Sequence, residues 1–172
     1  LRRILIDEIP SVAFHYDEYS DDKDILILKN NTSLHNEMML QRISFIPLYI
    51  DPKADDKYLF ECHIKHNGKT PFQFITTNDI NIYPQISEPP DDDKLSRLNY
   101  DTSNPLNNTE KDKIFKPYIF RDKKNYCLLT ELKNTHTENS FQEIHFICSP
   151  SIKTGSLKSN FQSCSNVSYS YL

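Results

Sequence analysis

Glycine is almost missing from this chain, with 2 in 172 residues. Phosphate-binding loops use several glycines so that backbone N–H groups can close on the anion, and two could hardly build one. There is no G-x-S-x-G segment, which removes the strained turn that lifts a nucleophilic serine. No apolar run approaches the roughly 20 residues that span a bilayer as a helix. The opening LRRILIDEIP does not read as a secretory signal, because acids interrupt its apolar stretch. Excess positive charge is missing too: 20 Lys and Arg stand against 24 Asp and Glu, a net charge of −4. Modules that wrap nucleic acid through its phosphates carry clustered Lys and Arg. Direct DNA binding is therefore not expected to be the main task, and no membrane partner is expected.

Closely spaced cysteines are also lacking. Cys62, Cys127, Cys148 and Cys164 form no C-x-x-C pair, the spacing that lets one tight turn supply two thiolates to zinc. They read as reduced, partly buried cysteines of an intracellular protein. Cys62, His63 and His66 spell C-H-x-x-H and invite a metal reading. On a strand, however, Cys62 and His66 share a face about 13 Å apart while His63 faces the other way. Asp91, Asp92 and Asp93 follow two prolines and read as a solvated acidic loop. His136 and His145 have no partnered Cys or Ser in a recognisable setting. No catalytic residue, metal or cofactor is expected. There is no internal repeat and no heptad run.

What the chain does hold is 10 Tyr and 10 Phe, enough aromatic mass to argue against global disorder. Leu1, Leu5 and Ile9, with Ile4 beside them, have helical spacing, and Pro10 marks the end. SVAFHYDEY looks extended, SDDKD turn-like and ILIL (25–28) a short strand, together suggesting a hairpin. Thr32 or Ser33 is a fair N-cap for a helix in which Met39 and Ile43 share a face, closed by Pro47. YLFECHIKH and FQFITTNDINIY read as strands, as do NYCLLTEL, FQEIHFICS and NVSYSYL. Residues 84–113 read as a long polar loop with a short helical turn near Leu95–Leu98.

The order LRRILIDEIPSVAF, then NTS-L-x-x-E, then QRISFIPL resembles the assembly-platform subunit of multisubunit DNA-directed RNA polymerases. That family comprises the archaeal D subunit, its eukaryotic third-largest-subunit counterparts and, more distantly, bacterial alpha. The matching residues are Leu1, Arg2, Arg3, Ile4, Glu8, Pro10, Ala13, Asn31, Thr32, Ser33, Leu34, Glu37, Arg42, Ile46, Pro47 and Leu48. Weaker likeness continues through ITTNDI (75–80), LLTEL (128–132) and FQSCSNVSYSYL (161–172). Ser44 stands where the family has glycine, residues 17–29 are longer than its norm, and only Cys62 remains where some relatives carry a metal-binding cysteine cluster. The divergence fits a large DNA virus or a fast-evolving protist.

The resemblance implies an α+β fold. Residues 1–48 would be part of an alpha-like dimerisation domain with helices on a sheet, and 49–172 an inserted, mainly β domain. The missing initiator Met and the abrupt end fit an excerpt of a longer polypeptide. The implied function is that of a non-catalytic subunit and assembly platform. Its partners would be a smaller alpha-like subunit or fused domain and the second-largest catalytic subunit, in the nucleus or, if viral, in host cytoplasm or virion. Leu1, Arg2, Arg3, Ile4, Leu5, Glu8, Glu37 and Arg42 would form the partner interface. Two rival expectations are a stand-alone β-rich interaction module and, more weakly, a metal-dependent enzyme using His63, His66 and Asp91–Asp93.

Overall fold

Alternation decides the central strand. In YLFECHIK, Phe60 and Cys62 turn one way while Leu59, Glu61 and His63 turn the other, the period of a strand with two different faces. The computed structural model describes residues 1–16, 24–53, 57–86, 95, 100–134, 141–168 and 170. Within it this segment is β3 (Tyr58–Lys65) of a four-stranded antiparallel sheet. The other members are β2 (Ile25–Asn30), β5 (Asn81–Pro84) and β9 (Glu143–Cys148), in the order β2-β9-β3-β5. Three two-stranded ribbons accompany it: β1 (Pro10–Ala13) with β10 (Ser151–Thr154), β4 (Phe72–Thr76) with β8 (Leu128–Lys133), and β6 (Tyr118–Phe120) with β7 (Lys123–Asn125). The helices α1 (Asn36–Ser44) and α2 (Asn108–Phe115) complete a mixed α+β architecture.

One face of the sheet is dry. Phe60, Cys62, Ile82, Ile144, Phe146 and Cys148 join Phe14, Met39, Ile43 and Phe115 in the main core. Phe60 meets the rings of Phe14 and Phe115 edge-on, at 5.2 and 5.8 Å. Such edge contacts add to area burial because ring edges and faces carry opposite partial charge. Met39 and Ile43 lie one turn apart on α1 and both reach this core, as their spacing predicts. Phe14, Ile25, Met39, Ile43 and Ile46 come from before residue 48, and the rest from after it. The core thus runs unbroken across the boundary expected between 48 and 49.

Several sequence expectations change. SVAFHYDEY and ILIL do not pair as a hairpin: β1 pairs with β10 and β2 with β9. Neither Thr32 nor Ser33 caps α1. The N-cap is His35, without a side-chain cap bond, while the Thr32 N–H and hydroxyl donate to Asn30 Oδ1 in a turn before the helix. FQFITTNDINIY is two strands, because Asp79 accepts from the Thr76 N–H and hydroxyl and closes a 3-10 turn over Thr77–Asp79. The polar stretch 84–113 holds the start of α2, opened by a reciprocal cap between Asn107 and Glu110. Its expected turn near Leu95–Leu98 lies, apart from Leu95, outside the described residues. NVSYSYL forms no strand among its described residues.

A buried carboxylate knots the N-terminal strands to the end of β9. Asp24 is 0% exposed. It accepts from the His15 N–H at 2.8 Å and from the Ser151 hydroxyl. Its own N–H donates to His15 O at 3.0 Å, and its carbonyl accepts from Ser149 N–H at 2.9 Å. One residue therefore joins the exit of β1, the entry of β2 and the β9–β10 turn. Asp24→Ala strands the His15 amide and the Ser151 hydroxyl, so a loss of roughly 2–4 kcal/mol is expected. Urea unfolding should show it as a lower midpoint at unchanged slope.

Candidate partner interface

Arg2 to Glu8 are helical, and Ile4–Glu8 take the wider π register. The Leu5 N–H donates to Leu1 O at 3.0 Å. Ile9 then turns extended at ψ 121°, as the following Pro10 requires, and β1 begins at the proline itself. The helix expected over residues 1–9 is thus shorter by Ile9 and wider than a 3.6-residue repeat. None of Ile4–Glu8 is buried. Leu1 is 91% exposed and Ile4 49%, with Leu5 half-buried and Arg2, Arg3 and Glu8 exposed.

This exposed segment is nonetheless seated. The Ser156 N–H donates to Asp7 O at 2.9 Å. Gly155 supplies the clearance beneath: a Cβ there would lie 2.8 Å from Ile6 O and 2.7 Å from Gln162 Cγ. The Ser11 hydroxyl on β1 donates to the carbonyl of buried Phe161. Apolar atoms are therefore held against water by a fixed base, the arrangement in which a covering partner gains about 25 cal/mol per Å² of apolar surface. Arg2 and Arg3 beside them are exposed, and a guanidinium's forked donors suit carboxylates.

Glu37 and Arg42 sit on another element. Glu37 lies exposed in the first turn of α1. Arg42 Nη1 donates to Leu129 O at 2.6 Å and ties α1 to β8. It also lines an open cleft of about 250 Å³ with Ser33, Leu34, Leu128, Thr130 and Glu131. Six of the eight expected residues thus share one segment, and Arg42 takes on an intramolecular role. Ser44 is the buried last residue of α1. Phe45 after it has φ −94° and not a left-handed angle, and the Ser44 hydroxyl donates to Gln41 O at 2.8 Å.

The metal-like residues part company as the strand period requires. Cys62 points into the core, where burial first, and then Asp79 and Glu61, push its thiol up to about 12. Burial likewise holds the Cys148 thiol well above its usual range. Both stay protonated at neutral pH, which disarms them as nucleophiles or ligands. His66 is buried and its Nδ1 accepts from Gly68 N–H at 2.9 Å. No group of three or more His, Cys, Asp or Glu able to hold a metal occurs among the described residues. Asp91, Asp92, Asp93 and His136 lie outside them.

His63 acquires a different neighbour. On the outer sheet face it lies directly across from His145, rings stacked at 4.2 Å. The His63 imidazole donates from Nε2 to Glu143 Oε1 at 2.9 Å, and that of His145 to Glu61 Oε1 at 3.0 Å. A bulge at Leu28 brings Lys29 opposite His145, and Lys29 Nζ reaches Glu143 Oε2 at 2.7 Å. Lys29 foremost, and then His63, hold the Glu143 carboxyl down to about 2. This array was invisible in sequence because its members come from three strands.

No protein-family model matches the chain, and no curated protein is significantly similar to it.

Two outcomes test this geometry. Gly155→Ala should shift the N-terminal segment, read as increased amide exchange at Leu5–Glu8 with the core amides unchanged. Glu143 lies below the unfolded carboxylate value of about 4.3, so its contribution is complete above that pH and lost as pH falls toward 2. Glu143→Gln should therefore flatten the fall of the urea midpoint between about pH 4 and pH 2.

Proposed function

We propose that this chain is a non-catalytic subunit of a multisubunit DNA-directed RNA polymerase. It pairs with a smaller alpha-like subunit or fused domain and forms the platform on which the second-largest subunit docks. The single observation that carries this reading is the LRRILIDEIP segment. Its residues resemble the polymerase assembly subunit in order, and in the fold Leu1, Arg2, Arg3 and Ile4 stand exposed on a seated helical turn, with Leu5 half-buried. Leu1, Ile4 and Leu5 serve as the apolar centre of the heterodimer contact. Arg2 and Arg3 form its charged border toward the large subunit, the usual division of labour in such interfaces. Helix α1 sends Met39 and Ile43 into the main core, and Arg42 fixes it to β8. On this reading, residues 1–48 contribute to the alpha-like dimerisation unit and β3 onward to an inserted lobe, with the two sharing one core.

That shared core also favours a second reading, a stand-alone β-rich interaction module that folds as a monomer and captures no alpha-like partner. Co-expression with a small alpha-like subunit and a second-largest subunit separates the two. Arg2→Ala with Arg3→Ala should reduce recovery of the large subunit roughly tenfold, as expected for interface arginines, with the circular dichroism spectrum unchanged. Undiminished recovery would sink the assembly role of these arginines. Absence of any alpha-like partner in the wild-type pull-down would favour the module.

A further inference from the structure

After α2 the chain runs into the β6–β7 ribbon, whose six strand residues are all exposed. Tyr118, Ile119 and Phe120 are 68%, 65% and 54% exposed. A lone two-stranded ribbon is marginal in water, and three consecutive large apolar residues there call for a reason. The register sorts them. Ile119 lies opposite Lys124, and Lys124 makes an ion pair with Asp112 of α2, so that face turns toward the helix. Tyr118 and Phe120 share the other face with Asn125 and Lys123 as their cross-strand neighbours. Two residues along a strand set their Cα atoms about 7 Å apart.

One cation touches these rings directly: the Arg121 guanidinium lies 5.2 Å from the Phe120 centroid. Lys116 Nζ lies instead over the ring of Tyr49, at 4.1 Å. From 116 to 124 the chain carries Lys116, Arg121, Lys123 and Lys124 against Asp122, a net +3 within a chain of net −4. Lys116, Arg121 and Lys123 have no ion-pair partner among the described residues. The turn itself has φ 47° at Arg121 and φ 60° at Asp122. Left-handed pairs of this kind favour Asn-Gly, so turn geometry does not explain an arginine there.

We propose that the Tyr118–Phe120–Arg121–Lys123 face binds single-stranded nucleic acid without sequence preference. Bases stack on Tyr118 and Phe120, while Arg121 and Lys123 line the phosphates. Paired aromatic platforms flanked by cations suit a single strand, because every base has a π face and every linkage a charge. An acidic peptide would answer the cations but leave the rings without a role. The proposal rests on local chemistry and not on the polymerase reading.

Fluorescence anisotropy of the whole 172-residue chain with labelled 15-mers of dT, U and a matched duplex tests it. Both single strands should bind more tightly than the duplex, and more weakly as salt rises. Tyr118→Ala with Phe120→Ala should weaken single-strand binding roughly tenfold or more, as expected for lost stacking. Phe120→Leu, which keeps apolar bulk, should weaken it too. Arg121→Ala with Lys123→Ala should both weaken binding and lessen its salt dependence. Failure of the wild-type chain to bind either single strand would overturn the proposal, as would equal binding by folded ring variants. Tighter binding of a poly-glutamate peptide, insensitive to ring removal, would overturn it by naming an acidic protein segment as the occupant. No polymerase subunit is needed, so a negative result leaves the assembly reading untouched.

Discussion

The fold's N-terminal strands are tied to its β9–β10 corner by one buried side chain, that of Asp24. A polar group carried into the interior is costly unless it is hydrogen-bonded. Asp24 Oδ2 accepts from the His15 amide and from the Ser151 hydroxyl, and those donors belong to the exit of β1 and the start of β10. Satisfying that oxygen and joining the N-terminal strands to the β9–β10 corner are one event. β2 follows immediately and lies antiparallel to β9 with Ile25 opposite Cys148. Through that corner the N-terminal segment obtains its base, because β10 leads to Gly155 and Ser156 beneath Asp7.

The central sheet then divides labour between its faces. Its inner face is aliphatic and aromatic, and its thiols are kept neutral by burial. The outer face carries a small apolar cluster of Leu59, Tyr83 and Tyr100, followed by the Glu61–His145–His63–Glu143–Lys29 array. Strict alternation along β3 and β9 produces both. The bulge at Leu28 lets edge strand β2 contribute Lys29 to the polar face while Ile25 and Ile27 still pair with the inner residues of β9.

Local grammar was readable where one residue's neighbours in sequence decide its fate. The alternation of β3, the Met39–Ile43 face of α1 and the proline stop after the N-terminal helix all follow from period and backbone sterics. Elements decided by distant partners were not readable. Asp24 looks like any acid in SDDKD until His15 and Ser151 close on it. His63 and His145 meet only through strand register. The π register of Ile4–Glu8 leaves no mark distinct from ordinary helical spacing. α2 did leave one, since Asn107 and Glu110 have capping-box spacing, but prolines and low apolar content concealed it. Of the residues expected at an interface, Leu1, Arg2, Arg3, Ile4 and Glu8 are exposed on one helical segment whose proline stop the sequence shows. The Arg42 contact with Leu129 needed the tertiary structure.

The pairing of β1 with β10 sets a schedule for birth on the ribosome. Pro10 pairs with Thr154, and Ile25 with Cys148, so the first two strands have no ladder partner until nearly all of this segment has been synthesised. Contacts of such long sequence separation form slowly, since the loop between them must be closed before they reward it. The nascent chain therefore emerges with two unpaired strands and the apolar side chains of LRRILI, the kind of surface on which chaperones act. The seating of β1 and β2 is thus a late event in synthesis, although both strands emerge well before β9 and β10.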